Sequence, residues 1–175
     1  MKAPRPHKRN RRILVIDDNR AIHDDFRKIL SPVDNTPTAL NLTETQIFGL
    51  SLTEERQIRF EVDSAYQGEE GYAMVQKAFD QGRPYAMAFV DMRMPPGWDG
   101  VQTTQAIWQV DPEIQIVICT AHSQYSWQEI FEIAGQNDRT IVLKKPFATI
   151  EALQLAKDLT EKWTTLHYNS KKKAI

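Results

Sequence analysis

Five short runs of apolar, β-favouring residues recur along the chain, and each stops at polar residues. They are Arg12–Ile16, Ile58–Val62, Tyr85–Val90, Ile114–Cys119 and Thr140–Leu143. Near-continuous apolar runs of this length predict strands buried on both faces, as in a parallel sheet. Between and after them the apolar positions shift to helical spacing. Ile22, Phe26, Ile29 and Leu30 mark a helix over 21–30, ended near Ser31-Pro32. Tyr72, Val75, Ala78 and Phe79 mark one over 69–81, ended by Gly82 and Pro84. Further helices are predicted over 100–110, with Asp99 as cap, over 126–134, and from Ile150 through Leu153, Ala156, Leu159, Trp163 and Leu166. A strand followed by a helix, five times over, predicts a five-stranded parallel sheet with helices on both faces.

The stretch 31–57 breaks this rhythm. Asp18 to Asp91 spans 73 positions, whereas ordinary elements and loops need only about 45–50. The surplus is an insert between the first helix and the second strand. Pro32, Asn35 and Pro37 mark a loop, Thr43 and Ser51 could cap short helices, and six apolar residues, Leu40 to Leu52, need cover. It reads as an extension packed over one edge, with docking or homodimerisation as the other reading. Residues 1–11 form a basic flexible tail, 12–165 the domain, and 166–175 a polar tail or the start of a linker.

Length agrees with one domain plus extensions: 175 residues, 41% hydrophobic and 26% charged. The single cysteine, Cys119, excludes a disulfide framework and suits the reducing cytoplasm; in its apolar strand it reads as an inert thiol. No run approaches the roughly 20 apolar residues of a membrane span. The net charge of −1 hides an uneven spread. Residues 1–12 carry six basic groups and Lys171–Lys173 three more, so 13–170 hold 13 basic against 23 acidic residues, a net of −10. Nothing aromatic or regular accompanies the terminal charge, so neither nucleic acid nor membrane is expected as a partner. His7, His23 and His167 sit among polar neighbours without ligand spacing and read as surface residues. Trp98, Trp108, Trp127 and Trp163 read as core or rim residues.

The chemistry lies at the strand ends. The first strand ends at Asp17-Asp18, the third at Asp91, the fourth at Thr120 and the fifth at Lys144-Lys145. In an open parallel sheet these ends share one crevice. Asp17-Asp18 alone would pass for a turn; in register with the others it does not. Three carboxylates together need a cation, and an all-oxygen set suits Mg²⁺. A lysine and a hydroxyl beside them suit a phosphoryl group, and an aspartate can be the nucleophile that accepts it.

These residues carry a resemblance. Asp17-Asp18 after a first strand, Asp91-Met92-Arg93-Met94-Pro95 after a third, Thr120-Ala121 after a fourth and Lys145-Pro146-Phe147 after a fifth resemble the response-regulator receiver domain of two-component signalling, over about 12–165. The resemblance implies a flavodoxin-like α/β receiver fold. It implies Asp91 as phosphoacceptor, and Asp18, Asp91 and the Arg93 backbone carbonyl as Mg²⁺ ligands with Asp17 assisting. It implies Thr120 as the switch hydroxyl and Lys145, rather than Lys144, as the phosphoryl contact, with a cis Lys145–Pro146 bond. The donor would be a histidine kinase or phosphotransfer protein, and the chain a signalling module that promotes its own phosphorylation and dephosphorylation rather than an enzyme. A fused output domain beyond this chain is expected to be open to it, by the run of the last helix past Trp163. Three features depart from the pattern: Val142 stands where an aromatic switch residue is common, with Tyr125 the candidate substitute; Arg93 and His122 flank the phosphoryl position; and the insert lengthens the chain. The rivals are an aspartate-nucleophile phosphatase or phosphotransferase, disfavoured by Arg93 where a second Asp is usual, and a phosphorylation-independent binding module.

Overall fold

The computed structural model describes residues 9–32, 58–121 and 139–173. The helix expected over 126–134, most of the insert, His7, His122, Tyr125 and Trp127 lie outside them. Among the described residues nine elements follow in chain order: β1 (Arg12–Ile16), α1 (Arg20–Leu30), β2 (Glu61–Ala65), α2 (Gly68–Asp80), β3 (Met87–Asp91), α3 (Gly100–Val110), β4 (Gln115–Ala121), β5 (Thr140–Lys145) and α4 (Thr149–Lys173). The five strands form one parallel sheet in the order β2-β1-β3-β4-β5.

Alternation along each strand sorts the apolar side chains into two cores, as a period of two requires. Ile13, Val15, Met87, Phe89, Val117, Cys119 and Leu143 face α1 and α4, meeting Phe26, Leu30, Ala152, Ala156 and Leu159. Leu14, Ile16, Ala88, Val90, Ile116 and Ile118 face α2 and α3, meeting Val75, Ala78 and Ile107. The strands of the middle of the sheet are therefore apolar on both sides, and their sequences show no alternation to a reader.

Two expectations shift. The second strand lies three residues later than its apolar run, because pairing with β1 sets its register: Arg12 stands opposite Glu61 and Ile16 opposite Ala65. Phe60 is instead a buried lead-in against the α1 and α4 core. In α2 the buried stripe is Gly68, Gly71, Val75 and Ala78, while Phe79 is 44% exposed. Gly71 explains the close approach: a Cβ there would stand 2.4 Å from the Ile16 side chain. Asp99 caps α3 as expected, in a reciprocal capping box with Gln102.

Candidate functional site

The strand order reverses direction between β1 and β3, which opens the crevice beyond their carboxyl ends. Asp17 follows β1 and Asp91 closes β3. Both continue the side-chain alternation of the α1 and α4 face. Lys145 closes β5 on the same parity, two residues after Leu143, whereas Lys144 falls on the other face and is exposed. The period of two thus selects Lys145.

Its ammonium donates to Asp17 Oδ2 at 2.7 Å and to Asp91 Oδ1 at 2.6 Å. The remaining oxygens are held by backbone: the Asn19 N–H donates to Asp17 Oδ1 at 2.9 Å, and the Arg93 N–H to Asp91 Oδ2 at 3.0 Å. Asp17 is 3% exposed, while Asp18 is exposed to solvent. One carboxylate oxygen from each of Asp17, Asp18 and Asp91 falls within 4.8 Å of the others. Three carboxylates against one ammonium leave a negative surplus, and hard oxygen donors at this separation fit a divalent cation such as Mg²⁺.

Burial pushes the Asp91 carboxyl above the ordinary carboxylate range, against the Lys145 hydrogen bond and charge that pull it down. Burial also pulls on Lys145, but its hydrogen bonds and charge pairing with Asp17 and Asp91 outweigh it and hold the ammonium above the usual lysine range. Beneath them Cys119, opposite Asp91 in the sheet, is 2% exposed. Its thiol is pushed up to about 12 by burial. It is buried there, as its apolar strand predicts.

Thr120 lies one residue beyond the Asp91 pairing position on β4 and is 9% exposed. Its hydroxyl donates to the Ala121 carbonyl at 3.3 Å. Val142 packs on the Thr120 side of the sheet, against the α2 and α3 core. The Lys145–Pro146 bond is cis, as the resemblance implied, and so is Pro95–Pro96. The loop after Asp91 is fixed from the start of α2: the Gly97 N–H donates to Oε1 of the N-cap residue Gln67 at 3.3 Å and the Trp98 N–H to Glu69 Oε1 at 3.2 Å. Gly100 lets α3 start against this strand end, since a Cβ there would stand 2.6 Å from the Asp91 carbonyl oxygen.

Two histidines differ from their sequence reading. His23 is 1% exposed and its Nε2 lies 2.7 Å from the Asp17 carbonyl oxygen. The signal was present: His23, Phe26 and Leu30 share one helical stripe and are the buried residues of α1. His167 is half-buried, stacked 4.4 Å from Trp163 and hydrogen-bonded to Glu113.

A family model described as the response regulator receiver domain matches residues 33–157. Asp91, Thr120 and Lys145 fall inside the match, while Asp17 and Asp18 precede it. No curated protein sequence matches the chain. Among solved structures, a CheY-like response regulator receiver domain protein from Methanospirillum hungatei is 19% identical, with a TM-score of 0.61, covering 89% of this chain and 98% of that one. The signal receiver domain of an HD domain-containing protein from Pseudomonas fluorescens is 14% identical, with a TM-score of 0.65, covering 93% and 96%. NtrX from Brucella abortus is 18% identical, with a TM-score of 0.62; the match covers 91% of this chain but 29% of NtrX. At these identities the likeness is one of fold.

Proposed function

The chain belongs to the response regulator receiver domain family of two-component signalling, and from that premise we propose that Asp91 accepts a phosphoryl group from a histidine kinase or phosphotransfer protein in the cytoplasm. Asp18, Asp91 and the Arg93 carbonyl hold Mg²⁺ in this reading, with Asp17 assisting. When bound, Mg²⁺ offsets the negative charge that arrives with the phosphoryl group. An Asp91 carboxylate oxygen attacks phosphorus, the bond from phosphorus to the donor nitrogen breaks, and that nitrogen keeps the electron pair. Lys145 turns from the carboxylates to a phosphoryl oxygen, and the Thr120 hydroxyl leaves the Ala121 carbonyl to donate to another. The charge added at Asp91 thereby moves Thr120, which is the packing event a partner reads. Hydrolysis of the acyl phosphate returns Asp91 and releases phosphate.

The observation that carries this reading is the Lys145 ammonium held between Asp17 and Asp91 within a three-carboxylate cluster. The chain acts as a signalling module. The exposed Arg93, two residues after Asp91, supplies no acid or base for a phosphatase. Relatives in fold belong to longer proteins, which supports a fused output domain as the reader of the switch; a homodimer is the other candidate.

Incubation with Mg²⁺ and acetyl phosphate is expected to add one phosphoryl group to the intact mass, and Asp91→Asn to lose that adduct entirely. Turnover of small phosphate esters without an adduct would overturn the assignment in favour of a phosphatase. A phosphorylation-independent binding module would show neither.

A further inference from the structure

The Asp17–Asp18 peptide is held from both sides. The Asp17 N–H donates to the Ala65 carbonyl of β2 at 3.1 Å. The Asp17 carbonyl lies outside the ladder of α1, whose first backbone bond runs from Ile22 to Asn19. It receives instead the His23 ring, with Nε2 at 2.7 Å. A carbonyl oxygen only accepts, so Nε2 carries the hydrogen. The peptide unit is planar, and fixing its oxygen fixes the plane from which Asp17 and Asp18 both project.

The ring itself is held. Tyr66, the residue after the Ala65 acceptor, packs against it with centroids 4.6 Å apart and planes tilted by 53°. The Tyr66 ring carries the Arg20 guanidinium at 4.7 Å on its other contact, and the Tyr66 N–H donates to Glu70 Oε2 at 2.6 Å. His23 therefore stands where the ends of β1 and β2 meet the first turns of α1.

Its other nitrogen points to the reason for a histidine. Nδ1 is buried and has no hydrogen-bond partner among the described residues. Burying a polar atom unpaired is unfavourable. Phe26 and Leu30 show that the same stripe takes apolar residues well. A residue chosen for packing alone would leave no orphan nitrogen, so the Nε2 bond to Asp17 is the gain that offsets it.

We propose that His23 is a positioning residue for the acidic cluster: its hydrogen bond sets the Asp17–Asp18 peptide and so the placement of Asp18 relative to Asp91. The inference rests on the metal reading above, because its consequence is metal affinity. A bond that orients a ligand from behind is expected to change that affinity about tenfold.

Calorimetric titration of Mg²⁺ into the full chain tests it, with thermal midpoints in metal-free buffer alongside. His23→Phe keeps a ring and loses the donor, His23→Gln keeps a donor and loses the ring, and His23→Leu loses both. His23→Phe and His23→Leu are expected to weaken binding about tenfold, with His23→Gln within about twofold of the parent. Parent-like affinity in His23→Phe, with only the thermal midpoint lowered, would assign His23 to packing and overturn the proposal. So would weak binding by His23→Gln and His23→Leu with His23→Phe intact. If the apolar variants do not fold, a tenfold loss in His23→Gln is the overturning result. Asp18→Ala in the same titration separates the two readings. Parent binding that Asp18→Ala leaves unchanged sinks the metal assignment and His23 with it; binding that needs Asp18 but ignores His23 sinks the His23 role alone.

Discussion

The two ends of the sheet both gather charged residues, but they balance them differently. At the amino end opposite charges are paired locally. Arg12 bonds Asp63 at 3.0 Å and lies over the Tyr85 ring at 4.3 Å, while the Tyr85 hydroxyl donates to the same Asp63 carboxylate at 2.7 Å. His167 bonds Glu113 across from α4. At the carboxyl end Asp17 and Asp91 share one ammonium, and the Asp18 carboxylate clusters with theirs. Clustered charge alone does not mark a site; the amino end has that too. Surplus charge of one sign, partly buried, is what asks for a ligand from outside.

Removing the Lys145 ammonium is the strongest way to test that contrast. Lys145→Met leaves Asp17 and Asp91 facing each other, with side-chain exposures of 4% and 12%. Breaking a pair so enclosed is expected to cost about 3 kcal/mol in urea unfolding without metal. Mg²⁺ should then stabilise the variant more than the parent, because it supplies the missing positive charge. A variant as stable as its parent, or indifferent to Mg²⁺, would mean the carboxyl end carries no real surplus.

The matching change at the amino end should be smaller and silent toward metal. Tyr85→Phe removes the hydroxyl from Asp63, whose carboxylate keeps Arg12 and some solvent. The phenol is held far above its ordinary pKa, by burial first and then by the Asp63 hydrogen bond and charge. The loss is expected at about 1 kcal/mol, with Mg²⁺ affinity and Asp91 phosphorylation unchanged. A change in either would show that the two ends are coupled through the sheet.

Most of this arrangement is legible in the sequence, for reasons that also say where legibility stops. Strands β1, β3 and β4 are covered on both sides, so their apolar runs stand out, and each ends where polar residues begin. Asp17 and Asp91 follow directly, since residues at the end of a buried strand emerge at the sheet edge, and Lys145 closes the edge strand β5 on the same parity. The edge strand β2 carries Asp63 and Ser64 in its middle, and its position is set by pairing with β1 rather than by its own apolar residues. The neighbouring run around Phe60 misleads for that reason. His23 escapes a reading by polarity because Asp24, Asp25 and Arg20 surround it in sequence, while the helix turns it inward beside Phe26. Long-range partners of this kind, like the Glu113–His167 pair 54 residues apart, exist only after folding.

The finest test of the comparison is a buried charge at the amino end that shares its surroundings with the Glu113–His167 pair and, among the described residues, has no ammonium of its own. Asp111 is 2% exposed after α3; its Oδ1 accepts the Glu113 N–H at 3.0 Å, and its Oδ2 has no partner among the described residues. Burial pushes its carboxyl above the ordinary value of 3.8, outweighing the backbone hydrogen bonds that pull it down. The folded chain thus holds this proton more tightly than the unfolded one. Between the ordinary value and the raised one the native state binds more protons, so stability falls as pH rises through that window. At pH 7 the cost of the buried carboxylate is fully present, and well below 3.8 it is gone. Asp111→Asn keeps the acceptor for Glu113 and removes the charge. It should match or exceed the parent at pH 7 by up to about 1 kcal/mol, and that advantage should shrink steadily as the pH is lowered toward 4. Urea midpoints of the two proteins at several pH values read the difference directly, with titrations common to both largely cancelling. A gap independent of pH would place Asp111 among the well-paired charges of its end. A shrinking one would make it the counterpart of Asp91: a carboxylate raised by the same burial, but with no lysine at hand and no ligand to come.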